Sequence, residues 1–314
     1  MVDLSVRIGD FAMANPVMPA SGTFSTEMGQ VLDLNRLGAL VCKTVSRELR
    51  DGNPTPRVAE VECGMINCIG LPGKGIGYFL SDILPDYLRY TPPLVVSITS
   101  TRIDDFAAMA QEVSVPGVKA LELNISCPTR DPNGGNFALH ADHTGETIRA
   151  VRAATKLPIW AKLSPNAGDV VNIARAAEAA GADALTVANT ILAMRIDTDS
   201  FRPSLGHKLG GMSGPAVKPI IMRMVYQVAK AVSIPVIGCG GICKAEDVVE
   251  YMLAGASAVQ VGYASFRNPT AMVSIIDGLK AWCERKGIQR IADLTGAVQD
   301  DMETDTYIAA AAGI

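Results

Sequence analysis

Short apolar runs alternate with amphipathic stretches along nearly the whole chain of 314 residues. The apolar runs are rich in Val, Ile, Leu and Ala, and turn residues separate them from the stretches that follow. This alternation predicts parallel strands covered by helices, because the strands of a parallel sheet are buried on both faces. The predicted strands are 17–20, 39–45, 94–98, 119–125, 158–163, 183–188, 235–239 and 258–261.

Two of the amphipathic stretches carry clear helix boundaries. The segment 169–180 begins with Asp169, a good N-cap residue, and is followed by Gly181, which suits the position after a helix end. The segment 244–254 is closed by Gly255 in the same way. Eight strand–helix units favour closure into a (β/α)8 TIM barrel of the α/β class over an open sheet.

The N-terminal segment 4–13 is predicted to form a β-hairpin, because Gly9-Asp10 stands in its middle. We expect this hairpin to lie across the bottom of the barrel. No linker divides the chain, so the sequence predicts a single barrel domain over residues 1–314, in which 297–314 forms a C-terminal tail.

Three connections are longer than usual barrel loops. Each follows a predicted strand and therefore rises from the C-terminal face, where barrel active sites lie. These long active-face loops are 46–75, 126–142 and 189–214.

Composition excludes several classes of protein. Hydrophobic residues make up 48% of the chain, which suits a large core, yet no run approaches the roughly 18 apolar residues of a membrane span. The first five residues lack the basic and apolar stretches of a signal peptide, so a cytoplasmic protein is predicted. A formal net charge of -4 and scattered basic residues argue against nucleic-acid binding.

The seven cysteines form no C-x-x-C motif. An odd number without such spacing disfavours a disulfide framework and a structural zinc site. Cys63, Cys68, Cys239 and Cys243 also lack the spacing of iron–sulfur ligands, and we expect them to be small buried hydrophobic residues.

Glycine-containing turns follow the last two predicted strands, Gly238-Cys239-Gly240-Gly241 and Val261-Gly262-Tyr263-Ala264. In barrels the loops after strands seven and eight often bind phosphate through backbone N–H groups, and glycine lets the backbone approach closely. One such turn alone is better explained as a tight connection. Two in consecutive places indicate a phosphorylated ligand.

Two lysines, Lys43 and Lys162, stand at strand ends. Burial of an unpaired ammonium there would cost several kcal/mol, so each lysine needs an anionic partner. A bound ligand and a carboxylate such as Glu122 are both possible partners.

A thiol and several amides complete the candidate site. Cys127 ends the fourth strand, where it is either a base or nucleophile or a buried structural thiol. The nearest histidines, His140 and His143, are predicted to be surface or loop residues without a catalytic role.

Three asparagines, Asn67, Asn124 and Asn189, follow strands or lie in active-face loops. Their side chains both donate and accept hydrogen bonds, as a cyclic imide or ureide requires. Taken singly, each is more simply a turn residue or helix cap. Their combination with the lysines and the glycine turns is what indicates a site.

These residues together resemble the class 1 dihydroorotate dehydrogenases, most closely class 1B, from Asn15-Pro16 to about Gly296. The matching motifs are Ala20-Ser21-Gly22, Lys43-Thr44, Gly52-Asn53-Pro54-Thr55-Pro56-Arg57, Asn67 with Ile69-Gly70-Leu71, Asn124-Ile125-Ser126-Cys127-Pro128, Ala161-Lys162-Leu163-Ser164-Pro165-Asn166, Asn189-Thr190, Gly210-Gly211-Met212-Ser213-Gly214-Pro215 and Gly240-Gly241.

The resemblance implies one FMN per chain, in an enzyme that oxidises dihydroorotate to orotate in de novo pyrimidine (UMP) biosynthesis. It assigns FMN to Ser21, Gly22, Lys43, Thr44, Asn124, Lys162, Asn189, Gly214, Gly240, Gly241, Gly262 and Tyr263. It assigns the substrate to Lys43, Asn67, Ile69, Gly70, Leu71, Asn124, Asn189 and Thr190. Cys127 would be the base that takes a proton from C5 of dihydroorotate while a hydride leaves C6 for the flavin.

The resemblance also implies a partner. Class 1B enzymes pass their electrons to a separate subunit that carries FAD and a [2Fe-2S] cluster, and then to NAD. This chain has neither a dinucleotide-binding glycine fingerprint nor a cluster motif, so another gene would supply that subunit. A homodimer within a heterotetramer is the expected assembly.

The chain departs from the family pattern in three places: Thr129-Arg130 after Cys-Pro, Ser97-Ile98-Thr99-Ser100, and Pro72-Gly73-Lys74. A flavin barrel that acts on another dihydropyrimidine or an enoate is therefore an alternative, and so is a non-catalytic phosphate-binding barrel. We expect orotate recognition to survive the loss of one amide at Thr129, because three asparagines remain.

Overall fold

The computed structural model describes residues 2–127 and 136–299. Thr129, Arg130 and residues 300–314 of the predicted tail lie outside this part of the chain. The described strands are β1 Val6–Ile8, β2 Phe11–Met13, β3 Val17–Pro19, β4 Leu40–Val41, β5 Val58–Val61, β6 Gly64–Asn67, β7 Leu94–Ile98, β8 Val118–Asn124, β9 Ile159–Lys162, β10 Ala184–Val187, β11 Ile191–Ala193, β12 Ile196–Asp197, β13 Arg202–Pro203, β14 Gly210–Ser213, β15 Val236–Gly238 and β16 Ala256–Val261.

The described α-helices are α1 Gly75–Tyr78, α2 Leu84–Tyr87, α3 Ile103–Glu112, α4 Ala141–Ala154, α5 Val170–Ala179, α6 Lys218–Ala231, α7 Ala245–Leu253, α8 Tyr263–Arg267 and α9 Ala271–Lys286. A π-helical turn, Phe79–Ile83, joins α1 to α2. Short 3-10 helices are Thr26–Gln30, Leu34–Arg36, Phe137–Leu139, Pro215–Val217 and Ile291–Leu294.

Eight parallel strands form the barrel, in the order β3-β16-β15-β10-β9-β8-β7-β4. The ring is completed between its two ends by the N–H of Gly38, which donates to the carbonyl of Val17 at 2.8 Å. All eight predicted strands are barrel strands, and the predicted (β/α)8 fold is confirmed. β4 is shorter than expected: it ends at Val41, and Val45 rejoins the sheet through an isolated bridge to Ile98.

The predicted helix boundaries are confirmed for α5 and α7. The carboxylate of Asp169 accepts from the N–H of Asn172 at 2.9 Å, and Gly181 follows the helix with φ +97°. Gly255 follows α7 with φ +113°. These left-handed conformations suit glycine because it lacks a Cβ.

The predicted N-terminal hairpin is also confirmed, since β1 pairs with β2 around Gly9 at φ +59°. The ring of Phe11 contacts the buried ring of Trp160 edge-on, with centroids 4.9 Å apart. Trp160 lies near the N-terminal end of β9, whereas Lys162 is the last residue of that strand. The hairpin therefore packs at the opposite end of the barrel from the site described below.

A second sheet was not predicted. It has four antiparallel strands in the order β11-β14-β6-β5, all drawn from the long loops 46–75 and 189–214. In its register Asn67 stands opposite Gly211. The sheet thereby links two loops that are far apart in the chain.

The cysteine prediction is correct only in part. Cys68 is buried, but Cys63 is exposed, and Cys239 and Cys243 are half-buried. Cys63 leaves the core because it lies in the turn between β5 and β6, where its φ is +57°. None of the described helices combines the length and apolar composition needed to cross a bilayer.

Candidate active site

Most of the predicted site residues lie at or just after the carboxyl ends of the barrel strands, which meet at one mouth. Asn67 and Gly214 belong instead to the second sheet and the residue after it. Four of the barrel strand ends are joined by side chains. The Nδ2 of Asn124 donates to Oγ1 of Thr44 at 3.2 Å, and that hydroxyl lies 2.9 Å from Oγ of Ser97. The Nδ2 of Asn189 approaches Oδ1 of Asn124 at 3.4 Å. The network fixes how both amides face the mouth.

Asn189 is held from a second side. Its Nδ2 donates to Oγ of Ser126 at 3.1 Å, and its Oδ1 accepts from the N–H of Thr190 at 2.8 Å. Cys127 follows Ser126 directly and is half-buried. The predicted base is thus one residue away from the side chain that contacts Asn189, and its chemical role stays a prediction.

The unpredicted four-stranded sheet carries Asn67 to the same place. Its Nδ2 donates to the carbonyl of Gly211 at 3.2 Å. A Cβ on Gly211 would stand 2.0 Å from Oγ1 of Thr190, so only glycine permits this approach. Asn67 and Thr190 therefore both lie against Gly211 of β14.

The loop of Ile69, Gly70 and Leu71 is shaped by two consecutive left-handed residues, Gly70 at φ +79° and Leu71 at φ +54°. The N–H of Asn53 donates to the carbonyl of Ile69 at 3.1 Å, and its Nδ2 donates to the carbonyl of Cys68 at 3.0 Å. A Cβ on Gly70 would lie 2.5 Å from the backbone nitrogen of Asn53. Asn53 thus holds this loop through two hydrogen bonds to its backbone carbonyls.

Lys162 is buried and has found a protein partner. Its Nζ donates to Oε1 of Gln260 at 2.9 Å, lies 3.5 Å from Oγ of Ser21, and stands 3.8 Å from the carboxylate of Glu122. Burial favours the neutral amine, but the negative charges of Cys239, when ionised, and of Glu122 more than offset it and raise the pKa of Lys162. The Glu122 alternative is therefore correct for this lysine.

Lys43 differs from the expectation that each lysine is buried beside an anionic partner. Its side chain is exposed at the mouth, and no carboxylate pairs with it within residues 2–127 and 136–299. Partial burial disfavours the charged ammonium and lowers the pKa of Lys43, and the positive charge of Arg57 lowers it further. β4 ends at Val41, before Lys43, and the Lys43 side chain is exposed. Neither Lys43 nor Arg57 forms an ion pair with a carboxylate in the described ranges, and two such cations make this edge attractive to an anion.

Each of the two predicted phosphate turns lies close to Gly214. A Cβ on Gly241 (φ +70°) would lie 2.8 Å from the carbonyl oxygen of Gly214. A Cβ on Gly214 (φ +116°) would lie 3.4 Å from the ring of Tyr263, the residue after Gly262. The backbone at Gly214 and Gly241 is packed too closely for a side chain. The N–H of Gly241 has no acceptor among the described residues, so this turn offers a donor that fits a phosphate group.

Among the predicted cofactor residues, Gly22 has φ +81° and open space around it, whereas Gly240 packs closely on Ile221. Sequence reasoning missed Ser97, Ser126 and Gln260. Their signal was a polar residue inside or just after a buried apolar strand, as in the run that contains Gln260. Such a residue needs a partner inside the barrel.

Comparison with known proteins gives a consistent answer. The family model described as dihydroorotate dehydrogenase matches residues 3–282. The catalytic subunit of dihydroorotate dehydrogenase B (NAD(+)) from Bacteroides thetaiotaomicron is 45% identical over 302 residues, which cover 95% of this chain and all of the relative. The subunit of the same name from Trichlorobacter lovleyi is 46% identical over 299 residues, covering 94% of this chain and 98% of the relative. The chain belongs to the dihydroorotate dehydrogenase family, and its similarity to these catalytic subunits places it in class 1B.

Proposed function

We propose that the chain oxidises dihydroorotate to orotate with one bound FMN, as the catalytic subunit of a class 1B enzyme in de novo pyrimidine biosynthesis. The observation that carries this proposal is the convergence of Asn67, Asn124 and Asn189 at one mouth, beside Cys127 and the buried ammonium of Lys162. The family is flavin-dependent, and FMN is the finer assignment.

FMN suits the residues at the mouth. The phosphate would lie against the turns of Gly214, Gly240, Gly241, Gly262 and Tyr263. At Gly214 and Gly241 an added side chain would collide with neighbouring backbone. Ser21, Gly22, Lys43, Thr44, Asn124, Lys162 and Asn189 would hold the remainder. Bound FMN supplies the acceptor for the hydride that leaves C6 of the substrate. The ammonium of Lys162 would stabilise negative charge at the mouth.

The substrate suits the amides. A dihydropyrimidine ring presents carbonyl acceptors and N–H donors, and asparagine side chains satisfy both kinds of group. Asn67, Asn124, Asn189 and Thr190 would bind the ring, supported by the loop of Ile69, Gly70 and Leu71. The substrate carboxylate would be drawn to Lys43, whose neighbour Arg57 adds a second positive charge.

Cys127 would act as the base. As the C5–H bond breaks, its proton passes to the sulfur of Cys127, and the electron pair of that bond forms the C5–C6 double bond while the hydride departs from C6. A positioned base typically contributes about 100- to 10,000-fold to the rate. The position of half-buried Cys127, directly after the Ser126 that contacts Asn189, supports this role.

A partner subunit would receive the electrons. The relatives are named catalytic subunits of an NAD(+) enzyme, which supports a separate partner. We assign FAD and a [2Fe-2S] cluster to that partner, and a homodimer of this chain to the centre of a heterotetramer. The cytoplasmic location stays a prediction from the sequence.

Release of the cofactor tests the proposal. The purified chain should be yellow, and heat release followed by chromatography should yield about one FMN per chain. Anaerobic dihydroorotate should bleach the flavin, whereas uracil should not. Recovery of FAD alone would contradict the cofactor assignment, and bleaching by another dihydropyrimidine but not by dihydroorotate would contradict the substrate.

A further inference from the structure

The glycine turn after β15 is held from outside the barrel by helix α7. The hydroxyl of Tyr251 donates to the carbonyl of Gly240 at 2.7 Å. Tyr251 is fully buried, and its ring lies so close to β15 that a Cβ on Gly238 would stand 2.5 Å from it. The ring position is therefore fixed by packing, and the hydroxyl has one direction in which to donate.

That hydrogen bond sets the direction of a second group. In a trans peptide the C=O of one residue and the N–H of the next point to opposite sides. The Gly240–Gly241 bond is trans. Because Tyr251 draws the carbonyl of Gly240 toward α7, the N–H of Gly241 points away from α7.

The N–H of Gly241 is without an acceptor in the described part of the chain, although Gly241 is buried. Buried backbone N–H groups almost always have a partner, since an unpaired donor is costly. An acceptor from a ligand would satisfy it. The carbonyl oxygen of Gly214 lies 2.8 Å from the position that a Cβ on Gly241 would take, so the two glycines are close neighbours.

A second contact braces the same turn. The backbone nitrogen of Lys218 would lie 3.0 Å from a Cβ on Gly241, and its Nζ donates to Asp247 of α7 at 2.7 Å. The other oxygen of Asp247 accepts from the N–H of Cys243 at 2.7 Å. Asp247 and Glu250 together neutralise the Lys218 ammonium. The backbone, rather than this lysine, is thus left to meet an anion.

We propose that Tyr251 is a positioning residue, whose hydroxyl orients the Gly240–Gly241 peptide so that the N–H of Gly241 donates to the phosphate of the flavin. This inference rests on the proposed function, because it takes a phosphorylated flavin as the ligand. It has a specific consequence. Loss of the hydroxyl should weaken the binding of FMN while the binding of riboflavin, which lacks the phosphate, is unchanged.

The test compares two flavins on Tyr251→Phe and on the natural chain after removal of bound cofactor. Quenching of flavin fluorescence gives the dissociation constant of FMN and of riboflavin for each protein. One neutral hydrogen bond corresponds to roughly threefold to tenfold in affinity, so the FMN-to-riboflavin preference should fall by about that factor. Tyr87→Phe is the control, because Tyr87 is a buried tyrosine of α2 that packs against Phe24.

The outcomes separate the claims. An unchanged preference in Tyr251→Phe, with FMN bound by the natural chain, overturns the positioning role alone. Failure of the natural chain to bind FMN overturns the proposed function instead. If Tyr251→Phe does not fold, the inference is tested by NMR on the natural chain labelled with 15N-glycine. FMN but not riboflavin should then move the Gly241 amide proton downfield, and equal shifts with both flavins overturn the inference.

Discussion

The ammonium nitrogen of Lys162 lies 3.8 Å from Oε1 of Glu122 inside the barrel. Only 4% of Lys162 and none of Glu122 is exposed. Glu122 Oε1 accepts no hydrogen bond from the described residues, so this oxygen depends on the nearby positive charge. Each charge thereby makes burial of the other tolerable.

The pair predicts strongly non-additive stability. Glu122→Ala and Lys162→Met should each lower the free energy of unfolding by about 3–5 kcal/mol, because each leaves one buried charge without its partner. The double variant should lose much less than the sum, since both charges are then gone. Urea denaturation of the four proteins measures this. Additive losses would show that the two side chains do not interact.

Gly241→Ala should abolish tight flavin binding. The new Cβ would meet the carbonyl of Gly214 at 2.8 Å, in a backbone conformation of φ +70° that disfavours alanine. Gly9→Ala is the matched control, because Gly9 also has a positive φ of +59° but open space around it. Flavin content after purification is the readout. Equal flavin content in the two variants would contradict a phosphate site at Gly241.

Asn67→Ala should weaken orotate binding by roughly threefold to tenfold, the effect of one neutral hydrogen bond. The flavin should stay bound, because Asn67 lies on β6 and not on a barrel strand. Asn172→Ala on the exposed face of α5 serves as the control. Titration of the flavin spectrum with orotate measures both variants, and equal affinities would remove Asn67 from the substrate site.

Alkaline pH should destabilise the chain partly through Cys42. Burial raises the pKa of this thiol from 9.0 to about 12 in the folded state. Between these values the unfolded chain ionises at Cys42 while the folded chain does not, so stability falls as pH rises, by about 1.4 kcal/mol per pH unit. Cys42→Ala should remove this part of the slope.

Denaturation at pH 8, 9.5 and 10.5 measures whether the free energy of unfolding falls as the pH rises. Cys63→Ala is the control, since the Cys63 side chain is already exposed in the folded chain. It should keep the slope of the natural protein. A Cys42→Ala slope equal to that of Cys63→Ala would mean that the Cys42 thiol is not shielded from ionisation.

The barrel was predictable because local signals agree with the fold. Apolar runs separated by amphipathic stretches defined every barrel strand, and the caps at Asp169 and Gly181 defined a helix. The four-stranded sheet gave no comparable signal. Its pairing of Asn67 with Gly211 joins short strands from two distant loops, so it depends on tertiary structure that local patterns do not contain.

The two lysines show the same limit at the site. Sequence reasoning offered Glu122 as a partner for either lysine, because both follow apolar runs. The choice depends on burial: Lys162 is buried on β9, whereas Lys43 follows the end of β4 and is exposed. That difference also exposes Lys43 to an incoming anion.

Flavin reduction by dihydroorotate tests the central claim most directly. Anaerobic stopped-flow absorbance should show rapid bleaching of the natural chain and of Cys63→Ala. Cys127→Ala, with its flavin still bound, should be slower by about 100- to 10,000-fold, because it lacks the base for the C5 proton. No bleaching of the natural chain, or a loss below about tenfold in Cys127→Ala, would contradict this account.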